Sequence, residues 1–288
     1  MEKGIIKRLK KGDRKALAKI ITEIEKDYNK IPEIFKNEKY EYPLILGITG
    51  PPGSGKSTLI GKIIKHLKDI KIAMFLIDPS SKLKRGAILG DRLRIEEKPG
   101  DTIYIRSFST GNTTSGLSFV LPAVSRLVKL AGYDLIFIET VGAGQIEDII
   151  CDFADKTYLV IQPASGDEIQ AIKSGIIERI EGIIINKSDL SGAMSMYNIF
   201  KMIYSDKFII NTSAEKEEGI DKFALQIRND LKDRVKLKNR KQRKLFELKF
   251  YIREMLFREI DKKININLVE DDTDPLITAK KIAKHMLQ

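Results

Sequence analysis

Gly50-Pro51-Pro52-Gly53-Ser54-Gly55-Lys56-Ser57-Thr58 fits the pattern G-x-x-x-x-G-K-S/T, and its surroundings decide the fold. A short apolar run, Leu44-Ile45-Leu46-Gly47-Ile48-Thr49, comes just before it, and a stretch with helical spacing, Thr58 to Leu67, comes just after. Strand, glycine loop and helix in that order are the context a phosphate-binding P-loop requires. Its glycines let the backbone wrap a phosphate closely, and the helix N-terminus adds partial positive charge. In such a loop Lys56 reaches the β and γ phosphates of a nucleotide, and the Ser57 hydroxyl ligates magnesium.

Working outward, further short apolar runs alternate with helical stretches: residues 72–78, 103–106, 135–139, 158–162, 182–186 and 208–211. Runs apolar on both faces, separated by helices, predict an α/β fold with a mostly parallel sheet covered on both sides. Before the sheet, Leu17, Ile20, Ile21 and Ile24 recur at helical spacing behind Asp13, which is placed to cap an N-terminal helix. After the last strand the chain reads as wholly helical. Leu245, Leu248, Ile252, Met255 or Leu256, and Ile260 form one stripe, with Phe246, Phe250 and Phe257 beside it. Asp274-Pro275 then opens a final helix to about Leu287. The expected division is an N-terminal helical segment (1–42), a nucleotide-binding core (43–230) and a C-terminal helical extension (231–288).

The base is read elsewhere than in the P-loop. Asn186-Lys187-Ser188-Asp189 ends an apolar run in the pattern N-K-x-D. An aspartate there accepts two hydrogen bonds from guanine, whereas adenine would leave the carboxylate unpaired at a cost of a few kcal/mol. Ser213-Ala214, after the next strand, is similar to the turn whose backbone N–H meets guanine O6 in many GTPases. The run Leu135 to Ile138 leads into Glu139-Thr140-Val141-Gly142, a Walker-B-like strand. Glu139 is the candidate for orienting water on magnesium, and the Gly142 amide for the γ phosphate. Asp78, ending the second strand, and Asp91 are further candidates near the metal. Together these residues predict a GTP/GDP-binding protein that uses Mg2+.

With 288 residues, 42% of them hydrophobic, the chain has material for a buried core. No apolar run approaches the roughly 20 residues that span a bilayer, and MEKGIIKRLK lacks the apolar centre of a secretory signal, so a cytoplasmic protein is expected. Cys151 stands alone, and with only His66 and His285 beside it no soft-ligand metal site can be assembled. The net charge is +11, much of it in Lys232, Arg234, Lys236, Lys238, Arg240, Lys241, Arg243, Lys244 and Lys249. That stretch reads as a solvated helix face rather than a nucleic-acid surface.

Taken together these motifs resemble the GTPases associated with methylmalonyl-CoA mutase, the MeaB or ArgK group. The similar segments run in that family's order: residues 12–18, 50–58, 78–81, 88–92, 139–145, 166–173 and 186–189. Glu in place of Asp in the Walker-B strand is typical of the group. The resemblance implies a GTPase that binds an adenosylcobalamin-dependent acyl-CoA mutase, gates its cofactor loading and protects it. It also implies a homodimer joined through C-terminal helices, Asp78, Asp91 and Glu139 around magnesium, and a partner-responsive segment at 166–173. The group's older label, a kinase of an amino-acid transport system, finds no membrane or periplasmic feature here.

Two departures stand out. Residues 112–118 keep only Gly116 where a more glycine-rich segment is expected, and Ile146 stands where the family usually has a small polar residue. One rival is a metal-delivery GTPase for a metalloenzyme, but its Cys/His relay has no candidate pair. A second is a nucleotide-gated scaffold with little hydrolysis; intact Lys56, Ser57 and Glu139 speak against complete inactivity.

Overall fold

Runs of Ile, Leu and Val at consecutive positions are buried on both faces only inside a layered sheet, and the chain places them there. The computed structural model describes residues 4–78, 102–109, 113, 116–140, 145–163, 175–233 and 240–263, with Leu276, Ile277, Ala279, Lys280 and Ala283 beyond. Among the described residues seven strands form one sheet: β1 (Leu44–Thr49), β2 (Ile72–Asp78), β3 (Ile103–Ser109), β4 (Leu135–Thr140), β5 (Lys156–Ile161), β6 (Gly182–Ile185) and β7 (Phe208–Asn211). Their order is β3-β2-β4-β1-β5-β6-β7, and each neighbouring pair is parallel. The expected runs all fall within or against these strands. β5 begins two residues before the expected run because Lys156 and Thr157 hid its start, and β3 runs on through Ser107 to Ser109.

The described helices are α1 (Ile5–Lys10), α2 (Arg14–Lys26), α3 (Ile31–Phe35), α4 (Lys56–His66), α5 (Leu121–Leu130), α6 (Gln145–Phe153), α7 (Ala193–Ile203), α8 (Ile220–Lys232) and α9 (Arg240–Lys263). As the sequence suggested, Asp13 caps α2: its Oδ1 accepts from the Lys15 and Ala16 amides at 2.8 and 3.1 Å. Strand alternation splits the core into two layers. Leu46, Ile48, Phe137 and Val160 meet Leu59, Ile60 and Ile63 of α4 and Phe223 and Ile227 of α8 on one face. Ile45, Phe75 and Ile138 meet α2, α5 and α6 on the other. Farther along that second face, Leu159, Ile161 and Ile183 meet Met196 and Phe200 of α7. Each such side chain, fully buried, contributes about 1.5–3 kcal/mol.

α9 departs from the expectations on its inward face. Its inward face is built on charge: Arg243, Glu247, Phe250 and Glu254 recur at helical spacing and are all buried. The Arg243 guanidinium pairs with Asp155 and donates to the Phe153 carbonyl at 3.3 Å. The Tyr42 hydroxyl donates to Glu247, and the Phe246 ring lies 5.7 Å from that of Phe153. Arg243 is only 5% exposed, which corrects the reading of this basic stretch as a solvated face at that one position; Lys232, Lys241, Lys244 and Lys249 are exposed as expected, and residues 234–239 lie outside the described part. The stripe of Leu245, Leu248, Ile252, Met255, Leu256 and Ile260 is not laid on the chain's own core: each of these residues is 36–57% exposed.

Candidate functional site

Because β1 lies in the middle of the sheet, flanked by β4 and β5, the loop leaving its C-terminal end sits at the crevice where parallel α/β sheets bind ligands. That loop is the Gly50–Thr58 stretch. A side chain at Gly50 would lie 2.0 Å from the Val160 carbonyl oxygen, and one at Gly55 would lie 2.4 Å from the Asn186 amide nitrogen. Both glycines have φ in the left-handed region, at 136° and 87°, so glycine is required for conformation and for space. α4 starts at Lys56, directing its unsatisfied amides at the loop. Lys56 is 6% exposed. Its Nζ folds back along the loop and donates to the Gly50 and Pro51 carbonyls at 2.7 and 2.9 Å.

The neighbouring strand supplies the acid. β1 and β4 run in register with Ile48 opposite Glu139, which brings Glu139 under the start of α4. The Ser57 hydroxyl donates to Glu139 Oε1 at 2.6 Å. A hydroxyl and a carboxylate in contact, almost buried, form the beginning of an oxygen-only donor set that suits magnesium. β2 pairs with β4 on its other side and ends one residue past the Ile77–Thr140 register position, so the backbone places Asp78 at the same end of the sheet.

On the other flank, β6 ends at Ile185 and the Asn186 side chain bolts three segments together. Its Nδ2 donates to the Ser54 carbonyl at 2.8 Å, and its Oδ1 accepts from Thr212 Oγ1 and the Ala214 amide, each at 3.2 Å. Lys187 adopts a φ of 55°, and the Ser188 amide donates to the Thr212 carbonyl at 2.9 Å. This turn sets Asp189 on the surface beside Ser213, whose hydroxyl donates to Asp189 Oδ1 at 2.7 Å. That hydrogen bond holds the Asp189 carboxyl below its ordinary range, with Lys216 and Lys187 adding to it, so the group stays an acceptor. The Ala214 N–H, in the Ser213-Ala214 turn, donates to Asn186 Oδ1.

Glu147, in the first turn of α6, was not singled out in the sequence. Its Oε1 accepts from the Thr49 hydroxyl at 2.8 Å, and Thr49 Oγ1 in turn accepts from the Thr140 hydroxyl at 3.0 Å. Burial pushes the Glu147 carboxyl up, while the Thr49 bond and the charge of Lys56 act against that. An acidic residue early in a helix ordinarily reads as a partner of the helix dipole; nothing in the local sequence announced that this one turns inward. The two sequence departures prove to be neighbours. Gly116, at φ 69°, has no room for a Cβ, which would lie 2.7 Å from Cγ1 of Ile146, and Ile146 is buried.

The structure thus brings Gly50, Pro51, Ser54, Gly55, Lys56, Ser57, Glu139, Asn186 and Ala214 into one connected set, with Asp189 and Ser213 at its rim. Pro52, Gly53 and Thr58 lie in the same loop and helix start. Asp91, Gly142 and the 166–173 segment lie outside the described residues, as does the Asp78 side chain.

The family model described as methylmalonyl-CoA mutase-associated GTPase MeaB matches residues 17–266. A candidate GTPase of Pyrococcus abyssi is 34% identical over 314 residues, covering 98% of this chain and 96% of that one. A fused isobutyryl-CoA mutase of Cupriavidus metallidurans is 34% identical over 194 residues, covering 65% of this chain and 18% of that much longer one. Among solved structures, one titled LAO/AO transport system kinase superposes with a TM-score of 0.69 at 20% identity, over 100% of this chain and 99% of that one; it speaks to the fold alone. With the P-loop, its acid and its base-side bolt in place, and a family match over most of its length, the chain belongs to the methylmalonyl-CoA mutase-associated GTPases, the MeaB family.

Proposed function

We propose that this GTPase is Mg2+-dependent, reads guanine through Asp189, and gates the loading of an adenosylcobalamin-dependent acyl-CoA mutase in the cytoplasm. The observation that carries the catalytic part is the contact of Ser57 with Glu139 at 2.6 Å, directly beside the buried Lys56. Lys56 exchanges its loop carbonyls for β and γ phosphate oxygens, and the amides at the start of α4 bind the same anions. Ser57 and Glu139, with Asp78 and Asp91, hold the metal, which supplies charge to offset the phosphates. Glu139 also orients the attacking water, and Gly142 meets the γ phosphate. Asp189 pairs with guanine N1 and N2, with Asn186, Lys187, Ser213 and Ala214 shaping the base pocket.

The partner is argued from a relative in which a matching stretch is part of a fused isobutyryl-CoA mutase, together with the description of the family. Both support a mutase as the enzyme that GTP turnover serves. Capture of partners from the source cell with and without a non-hydrolysable GTP analogue tests this. Recovery of a cobalamin enzyme in one nucleotide state supports the reading, and its absence in both states opposes it.

The same reading makes residues 1–42, 43–230 and 231–288 an N-terminal segment, a core and a dimerisation arm. An exposed stripe of six large apolar residues on one helix is costly in water, and two-fold pairing with a second copy would cover it. Leu248→Glu with Ile252→Glu touches only exposed positions, so it is expected to yield a folded monomer in light scattering. A wild-type chain that is monomeric rules the arm out.

A further inference from the structure

Glu147 and Asp148 stand side by side in the first turn of α6, yet they face different surroundings. Asp148 points outward and pairs with Arg179 Nη1 at 2.6 Å. Glu147 turns inward onto Thr49, the residue immediately before the P-loop, and Thr49 accepts from Thr140, the residue immediately after Glu139. Both threonines are fully buried. The chain of hydroxyls therefore fixes the Glu147 carboxylate against the ends of β1 and β4, the two strands that carry the phosphate loop and the acid. Holding a carboxylate there has a desolvation cost that a helix-dipole role at the surface would avoid. Lys56 Nζ is held on the carbonyl of Gly50, the residue next to Thr49, at 2.7 Å, so the phosphate-site cation and the Glu147 carboxylate are anchored on adjacent residues of the same strand end.

A fixed anion near a phosphate-binding cation subtracts from the field that the phosphates experience. In a half-buried setting the subtraction is screened less than at the surface. We propose that Glu147 sets the affinity of this site for guanine nucleotides: its carboxylate, positioned by the Thr140–Thr49 hydroxyl chain, opposes part of the pull of Lys56 on phosphate and thereby speeds GDP release. The inference rests on Lys56 being the phosphate-binding lysine. Glu147 is a positioning and tuning residue that acts on the nucleotide through the field at Lys56.

The test uses the full chain and N-methylanthraniloyl-GDP as the probe, with Glu147→Gln, which keeps an acceptor oxygen for Thr49 and removes the charge. The variant is expected to bind the probe about threefold or more tightly and to release it more slowly. Its kcat and KM for GTP should fall together, with thermal unfolding within a few degrees of wild type. A merely structural role would instead raise KM and lower the unfolding temperature. Glu147→Leu also removes the charge, at the cost of the acceptor for the buried Thr49 hydroxyl; it is expected to reproduce the tighter binding with a lower unfolding temperature, and keeps the test available if the glutamine variant folds poorly. Unchanged or weaker binding in the folded variants overturns the inference. Lys56→Ala separates the two levels: if it loses affinity while the Glu147 variants gain none, only the role of Glu147 fails, whereas wild-type affinity in Lys56→Ala removes the phosphate site and this inference with it.

Discussion

Asn186 is bonded directly to Ser54: its side-chain amide donates 2.8 Å to the Ser54 carbonyl, tying the base side of the site to the phosphate loop across 132 residues of chain. Its carbonyl end holds Thr212 and Ala214, so one buried side chain sets the distance between the segments proposed to read base and phosphate. Asn186→Ala leaves the Ser54 carbonyl and the Ala214 amide buried without this partner. The expected loss of stability is about 2–4 kcal/mol by denaturant unfolding, with GTP affinity down about tenfold or more.

Asp189→Asn is expected to shift preference from guanosine toward xanthosine nucleotides. The amide no longer accepts two bonds from guanine and can donate to the extra carbonyl of xanthine. Ser213 can still donate to the amide oxygen, so the turn should persist. Competition among GTP, XTP and ATP reads the outcome, and an unchanged GTP preference in the folded variant means that another residue reads the base.

Lys56→Ala should abolish most GTP turnover by removing the charge that offsets the phosphates, while unfolding measured without nucleotide moves little. Glu139→Gln separates binding from chemistry. The amide still accepts from Ser57 but carries no charge, so nucleotide binding is retained and hydrolysis slows, as single-turnover kinetics would show.

The inward face of α9 makes its attachment to the core pH-dependent. Burial pushes the Glu247 carboxyl up to about 7, from an ordinary value of 4.5. Between those values the folded chain binds more protons than the unfolded one. Stability from this group is therefore complete below about pH 4.5 and is lost as pH rises through about 7, by up to about 3 kcal/mol. Glu247→Gln keeps an acceptor for the Tyr42 hydroxyl and cannot titrate. Its unfolding free energy should be flatter than wild type across that window, and equal slopes for the two chains would contradict the assignment.

The strands were legible because their residues are buried on both faces, which leaves runs such as 72–77 and 182–185 uninterrupted by polar positions. The positions of the 50–58 and 186–189 segments were legible because each follows a strand directly. Contacts between distant segments were not. Nothing local marks Asn186 as the partner of Ser54, or Glu147 as the partner of Thr49, since both contacts are made by the strand order. α9 was misread on its basic side for a different reason: a run of Lys and Arg does not show which of its members turns inward to an acid, as Arg243 does to Asp155. Here the chain's own core takes the side bearing Arg243, Glu247, Phe250 and Glu254, where an ion pair and a tyrosine–carboxylate hydrogen bond sit among aromatic contacts, and the aliphatic stripe is left outward.

The most direct measurement of the central claim is GTP turnover by this chain with and without a purified acyl-CoA mutase apoenzyme, followed together with transfer of adenosylcobalamin to that mutase. The account predicts that the mutase raises the hydrolysis rate about tenfold or more, that cofactor transfer depends on the nucleotide, and that Lys56→Ala abolishes both effects. Turnover that is indifferent to the mutase, with cofactor transfer the same in GTP, GDP and no nucleotide, would contradict it.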